Sequence, residues 1–176
     1  MTSTLTTADV AVASMKALED LDLAGCYATT HPDAVNREAA TEPPACRQPG
    51  PAGFYATGQW LHNLAADIAW DIHEVMAEGD LVAVHATMRG HQSNPHTLYD
   101  ADGNPAQVMP NRGRAFAVTQ SHWFRLRDGW SSSTGRTATT SAWPCNSVGC
   151  SLRRRSHHKE VETPAARTLL SASRTL

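Results

Sequence analysis

The 176-residue chain contains no run of about 18 apolar side chains, so nothing in it reads as a bilayer-spanning helix. Its first residues, MTSTLTTADV, lack both a basic start and an apolar stretch. No secretory signal is visible, and a cytoplasmic protein is the expectation. The four cysteines, Cys26, Cys46, Cys145 and Cys150, include no CxxC pair and read as free thiols rather than a disulfide frame. Cys145 and Cys150 with His157 and His158 are spaced wrongly for a zinc finger, so no metal is expected. Positive charge is scarce in the body: residues 1–129 carry 8 Lys and Arg against 15 Asp and Glu, a net of −7. That excess of acid makes nucleic acid a poor partner, because phosphate contacts need Lys and Arg. Residues 130–176 reverse the balance, with 7 Lys and Arg against 2 acids. The run Arg153, Arg154, Arg155 reads as a solvated tail rather than an RNA or membrane contact.

What is present suffices for one domain and an appendage. Thr6 or Thr7 can cap a helix from about Ala8 to Leu21, with Val10, Met15 and Leu18 at roughly helical spacing. A short helical piece from Leu23 to Tyr27 stops ahead of His31-Pro32, because the residue before a proline is pushed out of helical geometry. Asn36 follows in HPDAVNREAA, where a turn or capping role is the ordinary one. The segment from Thr41 to Gly53 is rich in Pro and Gly and reads as loop. A helix from about Phe54 to Asp67 turns Trp60, Leu61 and Leu64 to the core. From Ile68 the period changes to two, and Glu78-Gly79-Asp80 reverses a β-hairpin. His91 to Asn111 is polar and broken by Pro95, Asp102-Gly103 and Pro110; it reads as a long excursion of the kind that rims sites.

The informative stretch is Arg114 to Gly129, RAFAVTQSHWFRLRDG. Phe116, Val118, Gln120, His122, Phe124 and Leu126 share one face of a strand, apolar at both ends and polar in the middle. Burying a glutamine and a histidine in an oily wall costs free energy unless something hydrogen-bonds them. Neighbouring side chains are one such partner and a polar ligand is another.

Asp128-Gly129 is a strong hairpin signal that calls for a partner strand. The sequence then offers SSSTGRTATTSAW, with almost no core-forming side chain. Between residues 131 and 176 the only Val, Ile, Leu, Phe or Met residues are Val148, Leu152, Val161, Leu169, Leu170 and Leu176. Such a segment buries too little apolar surface to offset its ordering entropy, so the expectation is a domain over 1–129 without its closing strand and a disordered tail over 130–176.

The HPDAVN segment, the EGDLVAVHATMRG hairpin and the QSHWFRLRDG strand, in that order, resemble the SnoaL-like polyketide cyclases of the nuclear transport factor 2-like superfamily. The resemblance covers Ala8 to Gly129. It implies an α+β fold: a curved antiparallel sheet wrapped into a cone, closed by N-terminal helices around an apolar pocket. It also implies cofactor-independent ring closure by an aldol step on a small hydrophobic substrate with polar edges, in a fold where homodimers are common. Asn36, Gln120 and His122 match the family's polar pocket positions. Asn36 and Gln120 would hold carbonyl oxygens, and His122 would position the substrate or shuttle a proton. Phe116, Val118 and Trp60 would be wall. A non-catalytic binding module, or a related isomerase, dehydratase or hydrolase on the same fold, is the alternative.

One departure stands out. The family's catalytic aspartate lies on the final strand, a few residues after a Glu-His-Trp segment, and this chain has no Asp after Asp128. Read one base out of register, permitted codons from Trp130 to Gly149 spell VVEHWANRDDLGMAMQLGW. Two of the three bases in each shifted codon are fixed by the residue that follows; the third is a choice. The string restores an alternating strand and an Asp pair, so a one-base slip near Gly129 is the expectation for the tail.

Overall fold

A computed structural model describes residues 5–138, with side chains described to Thr134. The first helix, α1 (Thr7–Glu19), is capped by Thr6, whose Oγ1 accepts from the Asp9 amide at 3.2 Å while Asp9 Oδ2 accepts from the Thr6 amide at 2.9 Å. This reciprocal pair satisfies two backbone donors at once. A second helix, α2 (Leu23–Thr29), gives way to extended backbone before His31-Pro32, as the proline requires. Thr30–Asn36 is strand β1, and Asn36 caps a 3-10 turn over Arg37–Thr41. A second 3-10 turn, Pro44–Arg47, leads to α3 (Pro51–Leu64).

The sheet contains β2 (Ala65–Glu78), β3 (Leu81–Gln92), β6 (Ala115–Arg127) and β7 (Trp130–Ala138), in the order β1-β7-β6-β3-β2. Every neighbouring pair is antiparallel except β1 with β7, which is parallel, so the sheet is mixed at that edge. Register shifts in β2 and β7 mark bulges, which bend strands and increase twist. The excursion holds its own hairpin, β4 (His96–Tyr99) with β5 (Pro105–Met109), which the Pro and Gly punctuation concealed.

Helices α1 and α3 cover the face made by Val82, Val84, Met88 and the inward set of β6. All six alternate β6 residues from Phe116 to Leu126 are buried, as their period predicts. Burying one such Val or Phe fully is worth about 1.5–3 kcal/mol. Cys26 and Cys46 are free, buried thiols. Among the described residues no helix is long and apolar enough to cross a membrane.

The partner strand expected to be missing is present over Trp130–Ala138. Asp128 and Gly129 both take positive φ, at 53° and 83°, and pair Arg127 with Trp130 across a two-residue turn. Ladder bonds to β6 on one side and β1 on the other form this strand despite its poor composition. The cost is visible: the hydroxyls of Ser131 and of its β1 partner Thr30 are buried with no hydrogen-bond partner among the described residues. The shifted string's Asp pair and the rest of the proposed tail lie outside the described residues.

Two glycines separate a tight approach from an open turn. Gly50 has φ 80°, and a Cβ there would collide with the Pro32 carbonyl oxygen, whereas a Cβ on Gly79, φ 59°, meets nothing within 4 Å. Gly50→Ala is expected to cost about 3 kcal/mol or more, combining strain with collision. Gly79→Ala should cost about 1 kcal/mol from backbone alone. Urea denaturation of both variants checks this; equal losses would mean that the contact with Pro32 relaxes freely.

Candidate functional site

Between the inward face of the sheet and the helices lies a cavity of about 150 Å³. Met15, Leu18, Leu61, Met88, Leu98 and Phe124 make its walls mainly apolar. An apolar void of that size holds a benzene-sized ring. The 3-10 turn after β1 brings Glu38, Thr41 and Glu42 to it, α3 contributes Thr57 and Trp60, and β6 contributes His122. The hairpin arm adds His96 and Leu98 from β4. Its tip rests on the second 3-10 turn, where Arg47 Nη1 donates to the Ala101 carbonyl at 3.2 Å.

The polar groups form two connected sets. Asn36 Oδ1 accepts from the Glu38 amide at 3.0 Å and from the Thr134 hydroxyl at 3.1 Å, which fixes which end of the amide is oxygen. Its Nδ2 therefore donates to Thr57 Oγ1 at 3.1 Å, and the Thr57 hydroxyl in turn donates to Glu42 Oε2 at 2.8 Å. An Asn amide has two N–H hydrogens, so one remains after the Thr57 bond. Cys46 sits at the end of this chain. Burial, reinforced by the Glu42 charge, pushes its thiol up to about 12, so it stays protonated.

The second set is centred on His122, whose residue is 7% exposed. Its Nδ1 lies 3.3 Å from Glu38 Oε1 and its Nε2 lies 2.9 Å from Gln120 Oε1. Trp70 presents an edge to the imidazole at a centroid distance of 6.4 Å and an interplanar angle of 82°. Trp60 tilts against His96 with centroids 5.5 Å apart. The Trp70 indole nitrogen and Gln120 Nε2 are buried with no hydrogen-bond partner among the described residues. Buried donors left that way cost about 1–3 kcal/mol each.

The structure thus brings Asn36, His122 and Trp60 together at the cavity. Gln120 is fully buried and reaches the site only through His122, because its side chain is shut inside the sheet's packed face. Phe116 and Val118 do not line this cavity. Val118 belongs to the packed core, and Phe116 lies six residues from His122 along β6, about 20 Å at about 3.3 Å per residue. It lines a separate hollow with Asp67, Arg89 and His91. Sequence reasoning missed Glu38, Glu42, Thr57 and Trp70. Thr57 had a readable signal, since it stands at i, i+3, i+4 and i+7 with Trp60, Leu61 and Leu64. Glu38 had none, because the 3-10 turn that carries it follows neither strand nor helix period. Among the described residues no group of three or more His, Cys, Asp or Glu could hold a metal ion.

The SnoaL-like domain family matches residues 11–130. The chain belongs to that family. No curated protein matches it in sequence. Among solved structures it is similar to TsrD from Streptomyces laurentii, at 20% identity and TM-score 0.57, covering 74% of this chain and 85% of that one. It is also similar to IdmH from Streptomyces antibioticus, a candidate polyketide cyclase, at 23% identity and TM-score 0.56, covering 77% and 93%. A SnoaL-like polyketide cyclase from Agrobacterium tumefaciens has TM-score 0.58 at 9% identity, covering 76% and 91%. These similarities establish the nuclear transport factor 2-like α+β fold for this SnoaL-like domain.

Removing the hydroxyl at the middle of the first polar set tests its cohesion. Thr57→Val leaves Asn36 Nδ2 without its acceptor and Glu42 without that donor, so a loss of about 1–3 kcal/mol is expected in urea denaturation. A loss below about 0.5 kcal/mol would mean that water replaces the hydroxyl.

Proposed function

We propose that this SnoaL-like domain is a cytoplasmic, cofactor-independent cyclase that closes a ring in a polyketide or similar carbonyl-rich molecule by an intramolecular aldol step. The observation that carries this reading is the His122–Glu38 contact beside the Asn36 amide in a cavity whose remaining lining combines apolar side chains with Thr41, Glu42, Thr57 and His96. An aldol closure needs a base for a proton on carbon next to a carbonyl, and a donor for the enolate oxygen. The His122–Glu38 pair supplies the first and the spare N–H of Asn36 the second. The apolar walls favour proton transfer by excluding water that would solvate the charge. A cavity of about 150 Å³ takes one ring of the substrate, with the remainder extending past the β4–β5 arm.

The chain as it stands is proposed to be impaired. The shifted string begins on the codon straddling Trp130 and Ser131 with a valine, where the present Ser131 buries a hydroxyl with no partner among the described residues. Valine there would remove that cost. A one-base slip also accounts for the absence of an aspartate after Asp128. Without that carboxylate the cavity itself remains, so a non-catalytic small-molecule-binding module is the second reading.

The present chain and a frame-corrected chain, compared on a linear poly-β-ketone thioester, test this. The corrected chain is expected to form cyclic product at least tenfold faster and to melt at higher temperature. Equal rates and equal melting would show that the printed tail is a working part of the protein, and binding without product from either chain would favour the binding module.

A further inference from the structure

Arg47 does not line the cavity, yet it ties together two parts of its rim. We propose that Arg47 is a specificity-determining residue that latches the β4–β5 arm over the cavity and so sets the size of molecule the cavity admits. The proposal rests on the reading of the cavity as the substrate site and adds what limits entry to it.

The arm is a two-stranded sheet of its own, without ladder bonds to the main sheet among the described residues. A lone hairpin is marginally stable in water, so its place depends on what it rests against. Its base is held firmly. The Ser93 and Asn94 amides donate to the Leu64 carbonyl at the end of α3, at 2.9 and 3.2 Å. The buried Gln92 side chain clasps the other leg, with Nε2 donating to the Pro110 carbonyl at 3.2 Å and Oε1 accepting from the Arg112 amide at 3.0 Å. His96 and Met109, the pair nearest the base, make further interactions of their own. Movement is therefore left to the tip half, which carries Leu98 in the cavity wall.

The tip is rigid in itself. Across its turn the Asp100 amide donates to the Asn104 carbonyl at 2.9 Å, and the Asn104 amide donates to Asp100 Oδ1 at 2.8 Å. It meets the body at the second 3-10 turn in two ways. Arg47 Nε and Nη2 both donate to the Glu42 carbonyl, at 3.1 and 2.9 Å, while Nη1 donates to the Ala101 carbonyl at 3.2 Å. The planar guanidinium thus fixes itself to the body with two donors and offers a third to the arm, a fork that lysine lacks. Gly103, at φ 85°, lies so close that a Cβ there would sit 2.6 Å from Pro44 Cγ. The bond to Ala101 is exposed to water, so breaking it leaves no buried group unsatisfied. A cavity of about 150 Å³ takes one ring with the arm shut, and a larger molecule has to push Leu98 and the tip outward. A ligand that needs the open arm is weakened by the fraction of time the arm is open, whereas a ligand that fits the closed cavity is not.

The full-length chain tests this with 2-hydroxy-5-nitrobenzonitrile, which has one ring, and 1,8-dihydroxyanthraquinone, which has three. Arg47→Ala should raise affinity for the three-ring probe relative to the one-ring probe by at least about fivefold. Without ligand, its amides over residues 97–108 should exchange hydrogen at least about tenfold faster, with those of β3 and β6 unchanged. Gly103→Ala, which pushes the tip off Pro44, should change both readings in the same direction, and Arg47→Lys should lie between Arg47→Ala and wild type. An unchanged probe ratio in Arg47→Ala overturns the proposal. Exchange that accelerates equally in β3 and β6 overturns it too, because the residue would then hold up the whole fold. If Arg47→Ala does not fold, Gly103→Ala decides by the same two readings. Neither probe can cyclise, so these outcomes stand apart from the cyclase test. Failure of wild type to bind either probe would retire the proposal together with the cavity reading; binding of both with an unaltered ratio in the variants would retire Arg47 alone.

Discussion

Polar atoms shut between an oily sheet and its covering helices must hydrogen-bond one another, and that constraint organises this molecule. Thr134 on β7, Asn36 at the end of β1, Thr57 on α3 and Glu42 on the intervening turn are joined in one directed chain. His122 and Gln120 on β6 are joined to the same turn through Glu38. The two sets tie the sheet's closing edge, its middle and a helix to one corner of backbone. Each bond contributes modestly when made and costs more when broken, since a buried partner is left unsatisfied. The cavity has its shape because these groups hold its polar corner while apolar packing holds the rest.

Much of the scaffold was legible because it follows simple periods. The β6 face from Phe116 to Leu126 alternates strictly, and its polar middle marks where the cavity touches the sheet. The α1 cap, the Gly79 and Gly129 turns and the core face of α3 carry local chemistry that needs no tertiary partner. What escaped was set by tertiary pairing. Strand β1 contains Pro32 and Asp33, neither a good strand former, and is extended because β7 lies beside it. Strand β7 is Ser- and Thr-rich and exists because β6 and β1 both offer it a ladder. The β4–β5 hairpin hides among turn residues for the same reason. Phe116 and Val118 share a face with His122 yet not a location, because period gives direction and not distance along the strand.

The candidate site shows the same division. His122 and Gln120 stood out as polar residues on an oily face, and Asn36 emerged through resemblance. Their partner Glu38 did not. A carboxylate on a 3-10 turn looks like any surface acid until the fold sets it against an imidazole.

The most direct measurement of this account is where a small ring binds. Titrating the isotope-labelled full chain with 2-hydroxy-5-nitrobenzonitrile, and following side-chain and backbone NMR signals, locates it. The account predicts the largest shifts at Asn36, Glu38, Trp60, Trp70 and His122, with the far hollow at Asp67, Arg89 and Phe116 unaffected. Shifts confined to that hollow, or none in the His122 ring at saturating ligand, would contradict it.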